Sequence, residues 1–206
     1  MPGFPQWLSE NADMSYYSAC LKLRPKLGLS ERPLLIGQAH AKLREDQRAH
    51  PLFPYPTGKA GHRLWKLTGW RLEEYMHLAD KLNLLPFFPG RSASGRGDHF
   101  PRQQAQKAAE DMRGKFAART VVIIGNATWE TLVLGEGKGS YKPFTLYNLL
   151  GGTIGYIPHT SGINDFWNSS ERAVQASQFF SVVREKTFGP CLEKINQEKD
   201  STLPAS

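Results

Sequence analysis

The chain has 206 residues, which supports one sizeable hydrophobic core and is short for two. Hydrophobic residues make up 40% and charged residues 22%, the balance of a soluble globular protein, and no apolar run reaches the roughly 18 residues of a membrane span. Lys and Arg outnumber Asp and Glu by 26 to 19, giving a formal charge of +7; this surplus suits a polyanionic partner without by itself singling out nucleic acid.

The opening MPGFPQWLSENADMS lacks a charged start followed by an apolar stretch, so a cytoplasmic protein without a secretory signal is expected. Cys20 and Cys191 stand far apart, which suits two reduced thiols and offers too few ligands for a structural metal site. The first strand-like run is Pro33 to Ile36, ending at Gly37. Leu82 to Phe88 supplies a second, shortened by Pro86 to Asn83–Leu85. Thr120 to Ile124 is β-branched and the clearest strand, and Thr153 to Ile157 is the fourth. Helical patterns fall between them: from Gly61 to Leu67, Leu72 to Lys81, Arg102 to Ala118 behind Pro101, Ala127 to Leu134, and Glu171 to Glu185. Two segments read as loops, Ala41 to Lys59 and the basic Gly90 to His99, and the tail from Glu193 is polar. Alternation of strand and helix predicts an α/β three-layer sandwich around a central, mainly parallel four-stranded sheet, with its core within about residues 30–190. A ligand site then lies beyond the carboxyl ends of the strands, where the chain reads GQAHA, NLLP, GNATW and HTSGIN.

Those four segments, in that order, resemble the motifs of the uracil-DNA glycosylase superfamily, nearest to branches with a GEAPG-type first motif. Gly37 and Gln38 open the first motif, Glu45 and Asp46 match its acidic pair, and Gly58, Ala60 and Gly61 match a GxAG helix entry. Asn83 with the proline-containing loop after it matches the second motif. VVIIGNATWETLVLG matches the third, and His159, Thr160 and Ser161 stand where the family has His-Pro-Ser. The resemblance covers residues 33–168 and implies a monomeric DNA glycosylase that works without a cofactor or metal, in DNA repair or in defence against phage with modified DNA. The alternative is a catalytically weak or inactive DNA-binding sensor of the same fold, and a nucleoside enzyme is a third reading.

The resemblance assigns roles by position. Asn83 reads the flipped base through its amide, which presents an acceptor and two donors to either uracil or cytosine edges. His159 stabilises the departing base. Ser161 and Gly162 meet a DNA phosphate, and Arg91, Arg96, Lys138 and Lys142 supply cations for the backbone. Asn164, Phe166 and Asn168 form a wedge for the duplex. Phe53 or Tyr55 stacks on the base, with Tyr55 preferred, although a core role suits either ring. The first motif departs from the pattern: Gln38, Ala39 and His40 stand where relatives position the attacking water with a carboxylate. Gln38 holds water but is no general base, so either Glu45, Asp46 or His40 supplies that chemistry from the loop or the enzyme relies on positioning and electrostatics alone, and a solvated loop is the ordinary fate of such carboxylates. Ala41 replaces the tyrosine that bars C5 substituents in the classical enzymes, which leaves room for a C5-modified pyrimidine besides uracil. Trp65, Trp129 and Trp167 read as core residues.

Overall fold

In a computed structural model, residues 4–39, 50–93, 99–133, 141–161 and 164–193 are described. Helices α1 (Phe4–Asn11) and α2 (Met14–Leu23) precede strand β1 (Leu34–Ala39). Helices α3 (Ala60–Thr68) and α4 (Leu72–His77) lead to β2 (Asp80–Leu85), and α5 (Arg102–Arg113) leads to β3 (Thr120–Ile124). Helix α6 (Asn126–Val133), the hairpin strands β4 (Leu146–Leu149) and β5 (Gly152–Ile157), and α7 (Ser170–Lys186) complete the order.

The sheet runs β2-β1-β3-β5-β4; its first four strands are parallel and β4 is antiparallel to β5. Leu34, Leu35 and Ile36 are all buried because both faces of the sheet are covered, so the strand reads as a continuous apolar run. Alternation divides the core. Leu35, Val122, Ile124 and Ile157 face Leu64, Tyr75, Phe180 and Val183 of α3, α4 and α7, with Trp7 and Cys20 from the N-terminal helices. Leu34, Ile36, Val121, Ile123 and Ile154 face Ala105, Ala109 and Met112 of α5 and Leu132 and Val133 of α6. This is the expected three-layer sandwich, with five strands instead of four.

The additional strand is β4. It pairs with β5 through a two-residue turn in which Leu150 (φ 51°) and Gly151 (φ 73°) are both left-handed, the geometry that matches strand twist in a tight hairpin. Leu-Gly is a weak turn signal, so NLLGG reads in sequence as a loop before a strand. Three boundaries also differ. Helix α4 ends at His77 and β2 begins at Asp80, because Asp80 N–H donates to Pro33 O and pairs the chain with β1. Helix α5 stops at Arg113; Lys115 and Phe116 turn back through i→i+3 bonds, which buries Phe116. Strand β1 continues through Ala39 rather than ending at Gly37. Helices α1 and α2 carry no counterpart in the sequence reading.

Candidate functional site

The order β2-β1-β3 makes the carboxyl ends of β1 and β3 a topological switch point. From β1 the chain leaves through α3 and α4 on one face, and from β2 it returns through α5 on the other. Asn83 pairs in register with Gly37, Ile36 with Ile123, and Ile124 with Ile157. Asn83 and the segment leading to His159 therefore lie at one edge of the sheet, separated by three strand spacings, roughly 14 Å.

Glycine makes the contacts at this edge possible. A Cβ on Gly37 would stand 2.5 Å from Asn83 Oδ1 and 2.8 Å from Leu52 Cδ2, so Asn83 and Leu52 converge over bare backbone. A Cβ on Gly61 would meet the Phe53 carbonyl oxygen and the Leu52 backbone far inside contact distance, so the first turn of α3 packs against that loop. The loop is pinned from below, where Tyr75 Oη donates to Leu52 O at 2.7 Å. From the other side, buried Thr160 donates through Oγ1 to Ala60 O at 3.0 Å, joining the His159 segment to the start of α3. Where a proline would restrict this loop by its ring, the threonine hydroxyl ties it down.

His159 packs against Gly125, whose added Cβ would stand 3.4 Å from His159 Cδ2 and whose φ of 105° favours glycine in any case. The Ser161 N–H donates to His159 Nδ1 at 3.1 Å. In the neutral imidazole Nδ1 is then the acceptor and the proton sits on Nε2, so the ring presents a donor on that side. The His159 carbonyl accepts from Asn164 Nδ2 (2.7 Å) and Trp167 Nε1 (2.9 Å). Trp167 thus fixes the loop as well as packing against the core. Nearby, the fully buried Thr128 hydroxyl, 3.7 Å from the position of a Gly125 Cβ, has no hydrogen-bond partner among the described residues.

The remaining expected residues divide. Among the described residues, no hydrogen bond engages the Asn83 amide, which leaves it available to a ligand. Gln38 follows Gly37 in β1, so alternation turns it to the opposite face from the Gly37–Asn83 contact. Phe53 packs on Phe4 and His50, and Tyr55 on Phe4 and Trp7, so both rings are engaged with the N-terminal helix cluster. Asn164 is a capping residue: its Oδ1 accepts the Phe166 N–H while its Nδ2 holds His159. Phe166 sits between Phe144, Trp167 and the Arg172 guanidinium. Arg91 and Lys142 are exposed. His40, Ala41, Glu45, Asp46, Arg96, Lys138 and Gly162 lie outside the described residues. Among the described residues, no three His, Cys, Asp or Glu side chains converge as a metal site requires.

No protein-family model matches the chain, and no curated protein matches it either. The functional reading therefore rests on the residues and their geometry. Sequence reasoning missed Leu52, Trp167 and Thr160 as positioning residues. The partly buried indole of Trp167 carried one legible signal, since an indole N–H shielded from water needs an acceptor. Leu52 and Thr160 carried none, because their partners come from distant segments.

Proposed function

We propose that the protein is a DNA glycosylase that turns one base out of DNA and hydrolyses its N-glycosidic bond, leaving an abasic site. One observation carries this reading: an amide that no described residue engages, Asn83, and an imidazole with its donor on Nε2, His159, share one edge of the sheet and are bridged by the start of α3. An amide is the side chain suited to reading a pyrimidine edge, and a neutral imidazole donor is suited to an oxygen that gains negative charge. As the C1′–N bond breaks, the base departs with the bonding electron pair and the Nε2–H of His159 stabilises the anion. Water adds to C1′, and its proton passes to an acceptor supplied by Glu45, Asp46 or His40; Gln38, turned to the opposite face, takes no part in this step.

In this reading the base is uracil or a C5-substituted pyrimidine admitted beside Ala41. Ser161, Gly162, Arg91, Arg96 and Lys142 meet phosphates, and the enzyme acts as a cytoplasmic monomer. No helix among the described residues is long and apolar enough to cross a membrane. The test uses end-labelled duplexes bearing uracil, a thymine mismatch, hypoxanthine or a glucosylated hydroxymethyl pyrimidine. Alkali-labile breaks at one of these positions are expected. Gel retardation without breaks on every duplex would assign the protein as a DNA sensor, and release of base from free nucleosides would make it a nucleoside enzyme.

A further inference from the structure

Base extrusion leaves a gap in the stack, and an enzyme that holds the gap open profits from a side chain that fills it. The His159 loop offers Phe166, but that ring lies 5.1 Å from Trp167 and 6.0 Å from Phe144, with the Arg172 guanidinium 4.2 Å away. Moving it into DNA would dismantle those contacts. Phe87 is different. Among the described residues six large hydrophobic side chains are well exposed, namely Met14, Leu21, Leu29, Phe87, Val174 and Val182, and Phe87 is the one aromatic among them, at 42% exposure. It is also the one in a segment leaving the carboxyl end of a strand, two residues past the end of β2 and four past Asn83.

Among the described residues Phe87 has no ring partner. Its backbone is nonetheless constrained. Pro86 and Pro89 flank the Phe87–Phe88 pair and restrict φ on both sides, and His99 N–H closes the following loop on Gly90 O at 2.9 Å. An aromatic ring held in water on a stiffened turn loses little conformational freedom on stacking and gains by leaving solvent. Exposed Arg91, four residues on, is placed to meet the flanking phosphate.

We infer that Phe87 is the residue that enters the duplex and stacks in the place of the extruded nucleotide. This wedge rests on the glycosylase reading, and its test does not depend on knowing the base. The probe is a duplex carrying a tetrahydrofuran abasic analogue with 2-aminopurine immediately beside it, since every glycosylase substrate converges on an abasic product. Wild-type protein is expected to raise 2-aminopurine emission on binding. Phe87→Ala should abolish the rise and weaken binding to this duplex by about tenfold, the scale of one lost stacking contact. Its affinity for the same single strand should stay within about twofold, and Phe87→Trp should restore both readouts. Identical emission from wild type and Phe87→Ala, no emission change with wild type, or equal loss of affinity for single strand and duplex would each overturn the wedge. Failure of the wild type to release a base from any duplex of the panel would instead overturn the glycosylase reading, which the emission measurement does not probe.

Discussion

The two ends of the parallel sheet handle polar groups in opposite ways. At the amino end, Asp80 opens β2 and receives Nη2 of both Arg24 and Arg119 at 2.6 Å, with Arg32 Nη1 at 3.7 Å. Arg119, only 8% exposed, also donates to Arg32 O. Beside this cluster, Glu74 is buried and bound by Tyr16 of α2 and Arg184 of α7. Both carboxylates there are held by guanidinium groups, and what these pairs secure is the docking of the N-terminal helices and α7. At the carboxyl end, Asn83 and His159 are positioned by glycines, a leucine side chain and main-chain hydrogen bonds. Ionic groups that hold one another make scaffold, whereas groups held by main-chain and apolar contacts suit the ligand site proposed above.

The sharpest way to break this contrast is to remove one group at each end. His159→Ala is expected to lower single-turnover excision by about 10²–10³-fold, the scale for losing one preorganised donor to a developing anion. The duplex dissociation constant should move far less, and the melting temperature should hold. Equal losses in binding and turnover would assign His159 to positioning. Asp80→Asn should do the reverse. Although burial opposes ionisation, hydrogen bonds from Arg119 and Arg24 outweigh it and hold the Asp80 pKa below the usual carboxylate value. Neutralising it strands a buried guanidinium at a cost of about 3 kcal/mol, lowering the melting temperature by roughly 6–12 °C. Excision per folded molecule should be unchanged; a matching loss of activity would show that the two ends are not separable.

Gly37→Ala tests whether close approach at the carboxyl edge matters to function. Its Cβ must displace Asn83 or Leu52, which overpacking data place at about 1–3 kcal/mol. Selectivity between uracil and cytosine in a competition assay should fall more than thermal stability does. Retained selectivity would mean that Asn83 does not read the base.

A pH-dependent effect concerns Lys81, whose Nζ donates to Met76 O and Ala79 O and lies 4.8 Å from the Tyr75 ring. Burial first, then the Arg24 charge, draws its pKa down to about 7 from 10.5. The unfolded chain therefore holds the extra proton between about pH 7 and 10.5, so this group makes stability rise with pH across that window and imposes its full penalty below it. Lys81→Met should flatten the rise in melting temperature between pH 7 and pH 10 and stabilise most at pH 6. A slope unchanged by the substitution would place its origin elsewhere.

Much of this fold is legible in the residues themselves. The strand at Thr120–Ile124 and the helix following Pro101 read directly, since β-branched runs and a proline in the first turn act locally. The strand β4 does not, because its turn uses Leu150 where local chemistry favours Asn or Gly. The same division runs through the site. Asn83 and His159 are picked out by the resemblance of their segments to glycosylase motifs, whereas Gln38, which the same resemblance singles out, alternates to the other face once β1 is seen to continue.

By itself, the sequence determined the α/β class, the parallel core strands and the edge of the sheet where chemistry-bearing side chains gather, because hydrophobic period and glycine placement are local properties. Only the tertiary structure decided that Tyr55 and Phe53 belong to the N-terminal aromatic cluster, that Asn164 and Trp167 grip the His159 carbonyl, and that Asp80 anchors three arginines. Phe87 differs from Phe166 for the same reason: one ring has no aromatic or cationic partner among the described residues, and the other has three. Burial and pairing depend on which distant segments meet, and a single chain read in order carries no term for that.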